Sequence, residues 1–251
     1  LKVDIYYPNS NKSFYPLVYF CHGGGWISGF RDQPNNVSWC KYLASKGYVV
    51  SSIDYRYGYR NTMLDLTSDY SDGLKFLKDN YYKFKIDKQN IVLMGLSAGG
   101  HLALLYSTYL TYNRIQNPLS GVKAVVAYYP PTDLQQMVDN KDSKSIFAKF
   151  GTVTTLNNSP SEFNDPYEFY SPIQWVNSKM PPTLLVHGKM DDTVPFETSV
   201  EFAKALKRNK VEYEFLVHST ANHSFDTKNN DYTTISIIEK TVRFINKHTN
   251  N

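Results

Sequence analysis

Residues 91–103 read IVLMGLSAGGHLA, and this stretch decides the fold. Its first four residues are apolar and typical of a buried β-strand, and the residues after Gly100 are typical of a helix. Between them stands Gly95-Leu96-Ser97-Ala98-Gly99, a G-x-S-x-G sequence. The glycines allow a sharp, strained turn in which larger residues would clash with the crossing backbone. This context favours a nucleophilic Ser97 over an ordinary loop serine.

A second apolar strand ends in a glycine-rich loop. Leu17–Cys21 runs directly into His22-Gly23-Gly24-Gly25-Trp26. Acyl transfer through a serine needs N–H donors directed at the oxyanion of the tetrahedral intermediate, and consecutive glycines leave their amides uncovered. We therefore predict an oxyanion hole formed by the backbone amides of Gly24, Gly25 and Ala98.

The two residues that flank this loop are candidates for substrate contact. We predict that both His22 and Trp26 bind substrate. For His22 the alternative is a hydrogen bond that braces the loop. His187 also precedes a glycine turn, and we expect it to brace that loop and not to act as the base. The aromatic fraction of 15%, with 21 Tyr, is consistent with an aromatic-lined pocket.

A serine hydroxyl also needs a general base and an acid that orients this base. The acid is expected in the turn after the apolar run 181–186, where Asp191 and Asp192 are adjacent. Neighbouring turn residues point in different directions, so only one of the two carboxylates is expected to reach the base. Asp192 or Thr193 is a candidate N-cap for the next helix.

The chain has six histidines, and their positions separate them as candidate bases. His223 lies in the loop between the last predicted strand and the last predicted helix, from which its side chain can reach Ser97. His218 ends that strand, which is too early for the same contact. His101 follows the G-x-S-x-G turn on a helix, and we expect it to be a packing residue. We therefore predict that His223 is the base.

Three motifs together resemble the α/β-hydrolase superfamily, and more narrowly its esterase/lipase branch of hormone-sensitive-lipase-like and feruloyl-esterase-like carboxylesterases. The resemblance extends over nearly the whole chain, from about residue 3 to residue 245. The motifs are His22-Gly23-Gly24-Gly25-Trp26, Gly95-Leu96-Ser97-Ala98-Gly99-Gly100-His101 and His187-Gly188-x-x-Asp191-x-x-Val194-Pro195.

The resemblance implies which of the two adjacent acids acts. The family's H-G-x-x-D-x-x-V-P pattern puts the acid on Asp191, and the order Ser97, Asp191, His223 along the chain is that of the fold. Leu96 stands where lipase-like members often carry an acidic residue before the nucleophile. This departure favours the small esterase and peptidase-like relatives.

Strand and helix patterns alternate at short intervals, which predicts an α/β fold with a mostly parallel central sheet flanked by helices on both faces. We expect residues 1–251 to form a single α/β-hydrolase domain. The first strand is expected at an antiparallel edge, with a partner further upstream. Strands are expected near 3–7, 17–21, 48–53, 91–94, 122–127, 182–186 and 212–217, and helices near 34–46, 65–80, 98–111, 197–208 and 231–247.

Residues 132–180 are the exception to this regular alternation. They are rich in Asn, Ser, Asp and Pro and carry seven aromatic residues of the exposed type. This composition is consistent with two structures: a small cap over the pocket, or an ordinary connecting segment. If the segment is a cap, deleting 140–165 should change the substrate preference and leave the fold intact.

Composition limits the partners and cofactors. The formal net charge is +4 at pH 7 and no dense basic run occurs, so nucleic-acid binding is not expected. No run is long and apolar enough to span a membrane. Cys21 and Cys40 lack the spacing of metal ligands, and Cys21 is expected to be a buried thiol. We expect a cytoplasmic protein that needs no metal or organic cofactor, although a leader could have been removed before Leu1.

The sequence thus predicts a serine carboxylesterase that hydrolyses short-chain acyl or aryl esters through an acyl-enzyme. Its partner would be a small-molecule ester. An amidase-type hydrolase, either an arylformamidase or a small serine peptidase, is the alternative, because the same groups cleave amides. A non-catalytic binding protein with the same fold is the third possibility. The oligomeric state is not indicated.

Overall fold

The computed structural model describes residues 1–115, 117–139, 145–157 and 165–249. Within them a single sheet has the strand order β1-β3-β2-β4-β5-β6-β7. Only β1 is antiparallel, and it lies at the sheet edge beside β3, as expected. The strands are β1 (Val3–Tyr6), β2 (Tyr15–Cys21), β3 (Val49–Ile53), β4 (Ile86–Leu96), β5 (Val122–Tyr128), β6 (Thr183–Gly188) and β7 (Tyr213–His218).

Eight α-helices occur in the described part of the chain, and five of them confirm the predicted helices. The other three, α4 to α6, lie between β5 and β6, where no helix was predicted. The helices are α1 (Pro34–Ser45), α2 (Met63–Asp79), α3 (Ala98–Tyr112), α4 (Leu134–Asp139), α5 (Ile146–Asn157), α6 (Pro166–Phe169), α7 (Phe196–Arg208) and α8 (Tyr232–Thr249), with 3₁₀ turns at Asn117–Leu119 and Pro172–Trp175.

Both faces of the sheet are covered, which explains why a central strand such as β2 is buried and apolar on both sides. In β2, Leu17 and Tyr19 belong to the core under α2, α3 and α7, whereas Val18 and Phe20 belong to the core under α1 and α8. Cys21 is buried with a free thiol, as expected, and Cys40 is buried and free as well.

The predicted strands are confirmed with small shifts at their ends, and β4 shows the largest difference. It begins at Ile86, five residues before the predicted start, because Ile86 and Asp87 pair with the first two residues of β2; the register then shifts, and pairing resumes at Ile91. Since β2, β4, β6 and β7 are parallel, their carboxyl ends lie at the same edge of the sheet. The loops that follow these four strands therefore meet there, where ligands bind in open α/β sheets.

Candidate active site

The turn between β4 and α3 holds Ser97 in a strained conformation. Its φ of 51° and ψ of −119° lie where side chains are rare, and such strain is common at functional sites. A Cβ on Gly95 would overlap the carbonyl group of Gly99, and a Cβ on Gly99 would overlap the carbonyl oxygen of Cys21. The G-x-S-x-G spacing is therefore required by backbone contacts on both sides of Ser97.

Ser97, His223 and Asp191 form a chain of hydrogen bonds across three loops. His223 Nε2 lies 3.1 Å from Ser97 Oγ, and His223 Nδ1 lies 2.7 Å from Asp191 Oδ2. The Asp191 side chain is 0% exposed and the His223 side chain 13% exposed. The carboxylate accepts the Nδ1 proton, which leaves Nε2 free to accept the serine proton.

Asp191 is held as an anion by donors on both of its oxygens. The backbone amides of Thr193 and Val194 each donate to Oδ1 at 2.9 Å. His187 Nε2 lies 3.1 Å from Oδ2. Burial alone would raise the pKa of Asp191, but the hydrogen bonds from His187 and His223 outweigh it and hold this pKa well below its ordinary value. His187 Nε2 also lies 3.2 Å from the Val194 carbonyl oxygen, so this side chain contacts both the acid and the loop that carries it.

The adjacent Asp192 is exposed, and it is Asp191 that is hydrogen-bonded to His223. Its backbone N–H donates to Asn222 Oδ1 at 3.0 Å, and the same oxygen accepts the His223 N–H at 2.7 Å. The expectation that Asp192 or Thr193 caps the next helix was wrong, because α7 begins later, with Pro195 as its N-cap. Asn222 links the acid and base loops, and nothing in its local sequence pointed to this contact.

His218 does not reach Ser97. It lies at the end of β7, where its Nε2 is 3.1 Å from Asp231 Oδ1 and its Nδ1 accepts the Ala221 N–H at 3.0 Å. Ala221 precedes His223 and Asp231 follows it. The two hydrogen bonds of His218 therefore fix both ends of the loop that carries the base. The pairing with Asp231 is a second contact that sequence reasoning missed.

The glycine loop after β2 has three consecutive residues with positive φ: Gly24 at 121°, Gly25 at 58° and Trp26 at 61°. Within the described residues, the amides of Gly24, Gly25 and Ala98 donate to no protein acceptor. All three residues border the cleft that contains Ser97. The Ala98 amide is also one of the unpaired donors at the N-terminus of α3, where the helix dipole favours negative charge.

Trp26 borders the cleft, but its indole is buried and braces the loop. Its Nε1 donates to His101 Nδ1 at 3.2 Å, and His101 Nε2 in turn donates to the Tyr170 carbonyl oxygen at 2.8 Å. Burial lowers the pKa of His101 to about 4, so this imidazole is neutral at pH 7. His101 is a buried packing residue, as expected, and it joins α3, the glycine loop and the segment before β6.

His22 is not brought to the cleft, so the expected substrate contact of its side chain is corrected. The imidazole is fully buried, stacks on Tyr55 at 4.4 Å between ring centroids, and its Nδ1 lies 2.6 Å from the Gly23 carbonyl oxygen. Burial lowers the pKa of His22. Bracing of the loop, the alternative considered from sequence, is the arrangement found.

The cleft above Ser97 has a volume of about 460 Å³ and is lined by both apolar and polar residues. Several apolar residues come from α4, α5 and the residues that follow β5. Several polar residues come from the start of α1 and from the loops that carry Asp191 and His223. The apolar residues include Tyr129, Pro131, Met137, Phe147 and Ala148, and the polar residues include Gln33, Asn35, Thr193 and Ser224.

Residues 140–144 and 158–164, which fall within the predicted cap, lie outside the described residues. In the described ranges, no group of three or more His, Cys, Asp or Glu side chains is arranged to hold a metal ion. None of the described helices is long and apolar enough to cross a bilayer.

Two family models together match nearly the whole chain. The family model BD-FAE matches residues 3–206, and the model of the dienelactone hydrolase family matches residues 167–248. The first range includes Ser97, the glycine loop and Asp191, and the second includes Asp191 and His223. All the residues assembled at the cleft thus lie within matched ranges.

Two curated relatives are esterases of plant and bacterial origin. The isoprenylcysteine alpha-carbonyl methylesterase ICME of Arabidopsis thaliana is 27% identical over 230 residues, which are 89% of this chain and 53% of that protein. Esterase LipC of Mycobacterium tuberculosis is 30% identical over 221 residues, 84% of this chain and 53% of that protein. The chain spans about half the length of these relatives.

Solved structures share the fold over nearly the whole chain. A truncated carbohydrate esterase from gut microbiota has a TM-score of 0.81 at 21% identity, covering 99% of this chain and 91% of that one. Esterase B from Lactobacillus Rhamnosis has a TM-score of 0.82 at 21% identity, covering 99% and 81%. With the BD-FAE model matching most of its length, the chain belongs to the BD-FAE family and has the α/β-hydrolase fold.

Proposed function

We propose that this chain is a serine carboxylesterase for short-chain acyl or aryl esters. The observation that carries the proposal is the hydrogen-bonded series Ser97–His223–Asp191, which opens into a cleft beside three unpaired amides. A serine, a base and an oriented acid in this arrangement are the groups that acyl transfer requires. The esterase names of its relatives support the same reaction class.

In the proposed reaction, His223 Nε2 accepts the proton of Ser97 Oγ as the oxygen attacks the ester carbonyl. The oxyanion is stabilised by the amides of the glycine loop and of Ala98. The alcohol then leaves with the proton from His223, and water hydrolyses the acyl-enzyme by the same route. Asp191 stays ionised throughout and fixes the tautomer of His223.

The mixed lining of the cleft suggests how substrate is oriented. An acyl chain or aryl group suits the apolar residues of α4 and α5, and an alcohol that carries further hydroxyl groups suits the amide side chains of Gln33 and Asn35. We propose that the chain forms one domain, with the segment between β5 and β6 as a small cap. The proposed partner is a small-molecule ester, and the cytoplasmic location stays a prediction.

Initial rates on p-nitrophenyl esters from acetate to laurate would test this function, with acetyl-p-nitroanilide and N-formylaniline assayed beside them. The proposal expects turnover of the esters, a maximum at short acyl chains, and much slower release of the amide and formamide products. Preferred cleavage of either nitrogen substrate would assign the amidase alternative. A folded sample that turns over none of them and resists a fluorophosphonate would overturn the enzyme assignment.

Phe147 is expected to limit the length of the acyl chain. It is 48% exposed, borders the cleft, and its Cε1 would lie 2.9 Å from a Cβ on Gly25. One methylene in an apolar pocket changes kcat/KM by about 10-fold or more. Phe147→Ala should therefore raise the ratio of kcat/KM for the octanoate to that for the acetate by about 10-fold.

The matched control for this variant is Phe150→Ala. Phe150 lies on the same helix and is 58% exposed, but it does not border the cleft. Its replacement should leave the octanoate-to-acetate ratio within about twofold of the wild-type value, as for a surface substitution. An equal change in both variants would show that the acyl group does not contact Phe147.

A further inference from the structure

One face of α5 lies directly against the glycine loop. Phe147, Gly151 and Thr155 are spaced by four residues and therefore share that face. A Cβ on Gly151 would lie 2.5 Å from the Gly25 carbonyl oxygen and 3.6 Å from its Cα. Such a separation leaves no space for a methyl group, so the backbones of α5 and the loop are in contact at Gly25.

The contact continues one helical turn further along α5. A Cβ on Gly58 would overlap the Thr155 side chain, so Thr155 lies against the Gly58 backbone. The Gly58 N–H in turn donates to the Trp26 carbonyl oxygen at 2.8 Å. Helix α5 therefore contacts Gly25 directly and Trp26 through Gly58.

The backbone conformation of Gly25 and Trp26 needs contacts with other parts of the chain to stabilise it. A side chain at positive φ costs about 1–2 kcal/mol, and Trp26 adopts φ 61° with a full indole side chain. Gly25, which precedes it, has no side chain to fix its conformation. The atoms of Gly25 that lie against Gly151 are its carbonyl group and its Cα. The Cα also joins the preceding peptide, which carries the Gly25 N–H, so a fixed Cα restrains the direction of that donor.

We propose that α5 is a positioning element of the oxyanion hole, with Gly151 holding Gly25 by direct backbone contact. The inference rests on the proposed function and adds to it a role for the segment between β5 and β6. That segment would contribute to transition-state stabilisation as well as to substrate selection. Gly151 touches neither the reacting atoms nor the substrate, so it acts through Gly25.

Gly151→Ala is the direct test, because a methyl group must displace the Gly25 carbonyl. Loss of a whole oxyanion donor costs about 10²–10³ in kcat, so a displaced donor should cost about 10-fold or more. We expect this loss in kcat for p-nitrophenyl acetate with KM changed by less than about twofold, since ground-state contacts are kept.

The matched control is Val153→Ala on the same helix. Val153 is half-buried and lies two residues after Gly151, which places it on the opposite side of α5 from the face that contacts the glycine loop. Its replacement should leave kcat for p-nitrophenyl acetate unchanged. An equal loss of kcat in both variants would mean that any disturbance of α5 has this effect, and the specific role of Gly151 would be wrong.

A transition-state analogue separates positioning from general damage. A trifluoromethyl ketone adds to Ser97 and places an oxyanion in the hole, so its Ki should rise by the same factor as kcat/KM falls. The apparent pKa of the kcat/KM profile should stay at the wild-type value, because the Ser97–His223–Asp191 series is untouched. Thermal melting by circular dichroism reports whether each variant is folded.

The outcomes are distinct. A folded Gly151→Ala protein with kcat and Ki within twofold of wild type overturns the inference, and so does a fall in kcat with no change in Ki. If this variant does not fold, Thr155→Ala decides, and it should lower kcat and inhibitor affinity in parallel. Absence of Ser97-dependent turnover in the wild type would instead overturn the proposed function itself.

Discussion

Replacing Ser97 by alanine should lower kcat for the best p-nitrophenyl ester by about 10⁴-fold or more. The substitution removes the only atom that can form the acyl-enzyme in the proposed mechanism, while His223 and Asp191 remain hydrogen-bonded to each other at 2.7 Å. KM should change little, because the cleft walls are kept. Steady-state rates and labelling by a fluorophosphonate measure the effect.

The control for this variant is Ser45→Ala. Ser45 is exposed at the end of α1, and its hydroxyl donates to the Tyr42 carbonyl oxygen. Ser45→Ala should keep wild-type kcat and full labelling. Substantial turnover or labelling in Ser97→Ala would mean that another residue is the nucleophile, and the proposed mechanism would then be wrong.

Asp191→Asn is expected to give the second-largest loss, about 10⁴-fold in kcat. The asparagine amide can donate to His223 Nδ1, which stabilises the tautomer that carries its proton on Nε2 and cannot accept the serine proton. The amides of Thr193 and Val194 keep their acceptor, so the loop conformation should survive. Rates on the best ester measure the loss, and thermal melting shows whether the variant is folded.

Asp192→Asn is the matched comparison, because it makes the same change one residue away. Its carboxylate is exposed and accepts a hydrogen bond from the neighbouring Thr193 hydroxyl at 3.3 Å. We expect a change in kcat of less than about twofold, as for a surface substitution. A larger loss in Asp192→Asn than in Asp191→Asn would reverse the assignment of the acid.

The turn that carries Ser97 and the glycine loop could be predicted from sequence because local backbone constraints determine them. Gly95 and Gly99 are required by contacts within a few residues of Ser97 or with the adjacent strand. The central strands were predicted for the same kind of reason, since burial on both faces makes β2 and β6 largely apolar runs. The acid was assigned from a motif, and its geometry agrees.

The helices of the segment between β5 and β6 could not be predicted, and α5 shows why. Residues 146–157 read IFAKFGTVTTLN, with a glycine in the middle and β-branched residues after it, which are weak helix formers. The helix is stabilised by contacts with Gly25 and Gly58, more than 80 residues earlier in the chain. Asn222 escaped prediction for the same reason, because its partner, the Asp192 amide, is 30 residues away.

Acid is expected to lower the stability of the fold through the buried His101 imidazole, independently of any effect on the catalytic groups. Its pKa of about 4 in the folded chain lies below the ordinary 6.5, so the unfolded chain binds a proton there more readily. Stability therefore declines as the pH falls from about 6.5 towards 4. Below that, protonation of Nδ1 would set an N–H against the Trp26 indole N–H, two donors facing each other. Acid would thus loosen the loop beside Ser97 through a residue that takes no part in the reaction.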